Sequence, residues 1–441
     1  MIPGFRDEIR PMLRLAAPLA MAELGWMAMG FVDTVMAGRL GAAEIGAGAL
    51  GSTLFFPIAI CGTGMLLGMD TVVSQAFGAR DDAACRRTLA QGIWMALGLA
   101  PVVALLLALT IPLLRAVGTN PNVMGLVAPF TYAMLWGVLP LMLYSAFRRY
   151  LQAMNIVKPI TFAVVSANLL NFCGNWLLMY GNWGFPRMGL EGSGYATSIS
   201  RLYIALVLLI AVVMHERRAV VRVPIDWRPQ AALIRRLTEL GFPSAMQILA
   251  EGAVFGIVSV MAARFDEVSL AAHSIAVNVV SITYMVPLGI SSAAAVRVGQ
   301  AAGRKSAHGI AVSGWTALAL AVGFMGSAGL ALAFMPHWIA RLYTPDLGVI
   351  AASAGLLRIA ALFEIFDGFQ VVATGALRGL GDTRTAAYAH LAGYWGLGLP
   401  VAYLLCFRLG WGVTGIWTGL TSALIAIGMV LLWAWKRRLE T

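Results

Sequence analysis

Charge is what this sequence has least of. Only 12% of its 441 residues are Asp, Glu, Lys or Arg, whereas 60% are hydrophobic. A soluble chain of this length needs far more polar surface. Cysteine is scarce as well. Cys61, Cys85, Cys173 and Cys406 form no CxxC pair, so no disulfide framework is built in. There is no GxxxxGK[ST], so no ATP-hydrolysing loop is visible, and no HExxH surrounds a histidine. No Ser/His/Asp set has a spacing suited to nucleophilic catalysis. Strict alternation of apolar and polar residues is also missing, which argues against an outer-membrane barrel.

What remains is a succession of long apolar runs. Twelve spans are predicted, at roughly 11–38, 45–75, 88–110, 124–147, 159–181, 192–214, 237–263, 268–296, 309–333, 347–376, 386–407 and 413–435. Lipid cannot satisfy open backbone groups, so each must be a helix. The expected fold is an all-α polytopic membrane protein. A net charge of +11 invites a nucleic-acid reading, but its placement excludes one. With the N-terminus inside, 23 of the 31 Lys and Arg fall in cytoplasmic segments, including Arg148, Arg149, Arg217, Arg218 and Arg222. Six fall outside: Arg39, Arg115, Arg187, Arg264, Arg341 and Arg408. This bias predicts both termini in the cytoplasm. The start, MIPGFRDEIRPMLRLAAPLAMAELG, has a charged flank, an apolar core and an A-x-A like a signal peptide. Its hydrophobicity continues to Met36, so an uncleaved first span is expected.

The two halves repeat at an offset near 225. Leu15, Pro18, Ala20, Met21 and Leu24 match Leu240, Pro243, Ala245, Met246 and Leu249. Val35, Met36, Ala37 and Arg39 match Val260, Met261, Ala262 and Arg264. Val73, Gln75, Ala76 and Gly78 match Val298, Gln300, Ala301 and Gly303. Six spans per half leave both halves in one orientation, as in parallel-repeat transporters. The expected organisation is an N-terminal six-helix lobe (1–214), a cytoplasmic linker (215–236) and a C-terminal six-helix lobe (237–441), enclosing a V-shaped central cavity.

Inside these spans lie acids that lipid should not tolerate. A charged side chain at the bilayer centre costs at least about 2.5–3.5 kcal/mol. The acids are Glu23, Asp33, Asp70, Glu251, Glu364 and Asp367, with Glu239 near an inner end, against only Arg201 and Arg358 as buried bases. Most must therefore be protonated, hydrated or bound to a cation. Glu251 lies 14 residues into its span, about 21 Å along the helix. Glu364 and Asp367 are three residues apart on one face, in the same lobe. Carboxylate oxygens so placed suit Na⁺ or H⁺, and a protonated acid bonded to a neighbouring helix is the alternative. Asp33 aligns with Val258 and Trp26 with Glu251, so the scaffold is duplicated but the acids are not. Asn171 or Asn175 can bond Asp33, either structurally or to tune it. Asp70 is expected to pair with a loop arginine. Asp346 is expected to cap a helix or to attract cationic cargo at the outer mouth. His273 and His390 read as structural.

The runs AAPLAMAELGWMAMGFVDTVMAGRLG, GMDTVVSQAFGAR, ELGFPSAMQILAEGAVFGIVSVMAARFD, LFEIFDGFQVVATGALRGLGDTR and YWGLGLPVAYLL, in this order and with 6+6 topology, carry a resemblance. The chain resembles a MATE (multidrug and toxic compound extrusion) transporter of the NorM-like branch over its whole length. The resemblance implies no enzyme activity and no cofactor. It implies export of organic, mainly cationic and amphipathic compounds in exchange for Na⁺ or H⁺. It places coupling acids at Glu251, Asp367 and Asp33, with Glu251 and Asp367 as the Na⁺ ligands. Where the family often has a tyrosine, four residues before the acid of span 10, this chain has Phe363, and it adds Glu364 to the coupling set. Asp33, Asn171, Asn175, Asp346 and Phe363 are the expected substrate contacts. A monomer in the bacterial cytoplasmic membrane, without an ATPase subunit or nucleic-acid partner, is expected. The rivals are a lipid-linked sugar or polysaccharide flippase, disfavoured by the acidic interior, and an intramembrane lipid-modifying enzyme, which lacks a catalytic cluster.

Overall fold

The computed structural model describes residues 4–218 and 226–440. Every long element is a helix, as an apolar chain with no water to satisfy its backbone requires. Among the described residues, eleven helices are long and apolar enough to cross a membrane. They are α1 (Phe5–Gly38), α2 (Ala42–Gly78), α3 (Asp82–Ala116), α5 (Lys158–Leu178), α6 (Leu190–Arg218), α7 (Ala231–Ala262), α8 (Glu267–Gly303), α9 (Ala307–Phe334), α10 (Leu347–Gly379), α11 (Thr383–Arg408) and α12 (Gly412–Glu440). Between α3 and α5, α4 is a pair, Pro121–Leu135 and Val138–Ala153, bent by 44°. Counted as one span, α4 brings the total to twelve. Ten of the twelve expected spans fall within one of these elements, and the other two, 159–181 and 237–263, run past Leu178 and Ala262. Part of the expected linker, 219–225 with Arg222, lies outside the described residues. The end of that linker is tied to α3. Gln91 donates to the Arg228 carbonyl (3.0 Å) and accepts from the Gln230 amide (2.9 Å), and Trp94 donates to the Trp227 carbonyl (2.8 Å).

The chain packs as two compact units, Met21–Ala245 and Met1–Ala20 with Met246–Thr441. In the first, Gly64 of α2 meets α7, where an added Cβ would fall 2.8 Å from the Ala245 Cα. In the second, Gly289 of α8 meets α1, where an added Cβ would fall 2.6 Å from the Ala20 Cα. These four residues are repeat equivalents, since Gly64 and Ala20 each map onto their counterparts 225 positions on. Pro18 and Pro243, also equivalent, lie inside α1 and α7 two residues before the points where those helices pass from one unit to the other. A proline there removes one intrahelical hydrogen bond from each helix.

In the second unit, α8 and α10 pack most intimately. The Ser291 hydroxyl donates to the Val371 carbonyl at 2.7 Å, and a Cβ on Gly379 would fall 2.6 Å from the Ala295 carbonyl oxygen. Small residues allow that backbone approach, as is usual between membrane helices. The contact holds α10, the carrier of Glu364 and Asp367.

Candidate functional site: two sets of buried carboxylates

The first unit contains Asp33, half-buried on α1. Asn175 of α5 donates to its Oδ1 at 2.6 Å and Thr197 of α6 donates to its Oδ2 at 3.0 Å. Asn175 also donates to Asn171 Oδ1 (3.2 Å), and Asn171 donates to Thr197 Oγ1 (3.3 Å). Asn171, Asn175 and Thr197 are buried, and the Asn175 Oδ1 has no hydrogen-bond partner. Three helices thus place carboxylate, amide and hydroxyl oxygens together, the hard-donor set that an alkali cation or an organic cation accepts. Nothing in the sequence singles out Thr197; a neutral hydroxyl in an apolar helix carries no distinguishing cost. Arg201, one turn further along α6, is buried as expected, with its guanidinium 4.3 Å from the centroid of the Phe55 ring.

The other two acids expected inside the spans of this unit, Asp70 and Glu23, are paired. Asp70 accepts from Arg149 (3.3 Å) and Gln152 (2.7 Å), so its arginine sits within the second half of α4 rather than in a loop. Glu23 forms an ion pair with Arg148, which also donates to Tyr144 Oη at 3.1 Å; Trp26 donates to the same oxygen at 2.9 Å. Arg148 is 5% exposed, so the expectation of a cytoplasmic loop residue is corrected. It is the counter-ion of Glu23. Breaking a buried pair by removing one partner costs about 3–5 kcal/mol. Glu23→Ala is therefore expected to lower the melting temperature of the purified protein sharply, and Glu23→Ala/Arg148→Leu to recover most of the loss. Thermal unfolding of both variants in detergent checks this; an unchanged single variant would contradict it.

The second unit gathers the remaining acids. Glu251 of α7 is half-buried and receives the Tyr394 hydroxyl of α11 at 3.5 Å. Asp367 is 3% exposed and accepts from Gln370 at 3.1 Å. Glu251 and Asp367 lie within each other's electrostatic field, as do Glu364 and Asp367. Glu364 is fully buried; Thr283 of α8 donates to its Oε1 at 2.7 Å and its Oε2 has no partner. None of the three makes an ion pair among the described residues. Arg358, expected to be buried, is exposed on α10, one turn and a half before Glu364. Behind Asp367, Gln370 meets His390 Nε2, whose ring also lies 3.3 Å from Gln247 Nε2 and 2.7 Å from the Ala386 carbonyl. His390 and Tyr394 flank the start of a wide-turned stretch, Leu391–Gly398, of the kind often found at functional sites. Gln370 and Tyr394 carry no mark in the sequence, because neither spacing nor charge distinguishes them.

Two expected contacts stand apart. Phe363 is fully buried between Phe255 (6.4 Å) and Trp417 (5.4 Å), and so packs the core of its unit. Asp346 is exposed and caps α10, accepting from the amides of Gly348 (2.8 Å) and Val349 (3.0 Å). His273 is buried beside Ser259 (3.2 Å). No group of three or more His, Cys, Asp or Glu close enough to hold a metal occurs among the described residues. A Na⁺ at Glu251 or Asp367 must therefore draw on neutral oxygens as well, and the Tyr394 hydroxyl is at hand.

A duplicated bundle of membrane-crossing helices, with unpaired carboxylates inside it, is the framework of a secondary transporter rather than of an enzyme. Comparison with known proteins gives the family. The MatE profile matches residues 18–177 and 243–404, two stretches that begin 225 positions apart. A probable multidrug resistance protein NorM of Mesorhizobium japonicum is 37% identical over 98% of this chain and 95% of its own. A multidrug resistance protein NorM of Burkholderia vietnamiensis is 34% identical over 97% of this chain and 93% of its own. Among solved structures, the eukaryotic MATE transporter AtDTX14 superposes with a TM-score of 0.88 at 19% identity, covering 99% of this chain and 98% of the other. An outward-facing conformation of a multidrug resistance MATE family transporter superposes with a TM-score of 0.88 at 18% identity, covering 98% and 96%. The chain belongs to the MatE family and is a MATE transporter.

Proposed function

We propose that the protein is an antiporter that exports organic, mainly cationic and amphipathic compounds in exchange for Na⁺ or H⁺ across the bacterial cytoplasmic membrane, with both termini inside. The observation that carries this reading is the asymmetry of charge. Glu251, Glu364 and Asp367 share one unit without an ion pair, whereas Glu23 and Asp70 are neutralised by Arg148 and Arg149. Carboxylates left unpaired in an apolar bundle need a mobile cation. The names of the NorM relatives support a drug as the exported partner, and the acidic interior disfavours the anionic headgroup of a flippase substrate. Asp33, with Asn171, Asn175 and Thr197, is assigned to the cationic compound and to a second coupling cation. Glu251 and Asp367 are assigned to the coupling ion. Drug and ion exchange because the drug's affinity differs between ion-loaded and ion-free states.

The test is efflux of a fluorescent organic cation from proteoliposomes, with Na⁺ and pH gradients imposed separately. Efflux driven by either gradient supports the reading, and none with either overturns it. The same assay addresses Glu364. Its unpartnered Oε2 supports a place in the cation set, so Glu364→Gln is expected to change the Na⁺ and pH dependence of efflux while the range of exported compounds stays as in the wild type. A Glu364→Gln protein with unchanged ion dependence would place Glu364 in the packing alone.

A further inference from the structure

Arg201 is the one buried base of its unit for which neither a hydrogen bond nor an ion pair is found among the described residues. It is 4% exposed, and its Nε and Nη1 have no partner. A guanidinium carries five N–H donors, and leaving them dry inside an apolar bundle is costly. Its guanidinium lies over the face of Phe55, itself 2% exposed. Arg86, Arg148 and Arg149, by contrast, each hold a carboxylate. A side chain this expensive persists when another state of the molecule uses it.

The carboxylate that Arg201's own helix reaches is Asp33. Thr197, which donates to Asp33, precedes Arg201 by four residues, so the two share a face of α6. Helical side chains lean toward the turn N-terminal to their own Cα, which directs Arg201 toward Thr197 and the carboxylate. In the present arrangement Asp33 is held by two neutral donors, Asn175 and Thr197, while the guanidinium rests on Phe55.

We propose that Arg201 is a tethered counter-ion of Asp33: it rests on Phe55 while a cation occupies the carboxylate, and it closes on the carboxylate when the cation leaves. The empty site is then neutral without a proton or an ion, and the arginine competes with the outgoing compound for one carboxylate. The idea rests on the assignment of Asp33 to a cationic compound.

The test is equilibrium binding of tetraphenylphosphonium to the full-length protein in nanodiscs. Removing the competitor with Arg201→Gln is expected to tighten binding about tenfold, within the roughly 5–150-fold range of such couplings. Arg201→Lys keeps a cation on the tether and is expected to stay near the wild type. Removing the resting place with Phe55→Leu is expected to act in the opposite direction and weaken binding. In an Asp33→Asn background, Arg201→Gln and Phe55→Leu are expected to do nothing further. If Asp33→Asn weakens binding but both Arg201→Gln and Phe55→Leu leave it unchanged, the counter-ion role is overturned and the Asp33 site stands. Equal effects of Arg201→Gln with and without Asp33 overturn the link between the two. If Asp33→Asn itself changes nothing, the site is lost and the proposal with it.

Discussion

Glu251→Gln and Asp367→Asn will each bring gradient-driven efflux down to the leak of protein-free liposomes, while the variants insert and purify like the wild type. The amides keep the size of the acids and can still receive the Tyr394 hydroxyl and bond Gln370, so packing around α7, α10 and α11 is preserved. What they lose is the ability to alternate between a charge and a neutralised charge. Antiport is a coupling free energy between two ligands, typically about 1–3 kcal/mol, or roughly 5–150-fold in affinity. A group that presents the same charge in both states contributes none of it, and a ligand without differential affinity shifts no population. Drug binding without transport is therefore the expected signature. Wild-type efflux from both variants under either gradient would remove Glu251 and Asp367 from the coupling machinery.

Asp33→Asn will weaken binding of tetraphenylphosphonium by at least about tenfold and abolish its efflux. A unit charge 4 Å from a cation contributes about 4 kcal/mol at an effective dielectric constant near 20. Even a third of that is close to the roughly 1.4 kcal/mol that separates tenfold affinities. The substituted amide can still meet Asn175 and Thr197, so a purely structural aspartate would leave binding nearly intact. Asp33→Val, which copies Val258 of the other repeat, should lose binding in the same way without adding an unpaired amide. Equilibrium dialysis on both variants, alongside proteoliposome efflux, checks this. Unchanged affinity and unchanged export by Asp33→Asn would make the residue part of the scaffold.

The apolar runs and their repeat are readable from one chain because lipid imposes a local rule, about twenty apolar residues per helix. Glu251, Asp33 and Asp367 stand out for the same reason: each violates that rule. Pairing does not follow from a local rule. Arg148 lies beside Arg149 at the end of a span and counts as a loop residue by position, yet α4 runs on to Ala153 and Arg148 meets Glu23 from within it. Arg358 sits at mid-span by position, yet its face of α10 is exposed. Thr197, Gln370 and Tyr394 are invisible for a different reason. They are neutral, so no cost marks them until the fold sets them beside a carboxylate, Thr197 and Tyr394 from neighbouring helices and Gln370 from the next turn of α10 itself.

The exchange of helix ends between the two units has a consequence for how the chain is made. Residues 231–245 of α7 belong to the unit formed by the first half of the sequence, and residues 1–20 belong to the unit formed by the second. The first six spans leave the ribosome with Gly64 still uncovered, because Ala245 has yet to be synthesised. The start of α1, in turn, must wait for Gly289. Neither half of the gene encodes a self-sufficient bundle. Each copy of the repeat is completed by a helix end encoded in the other.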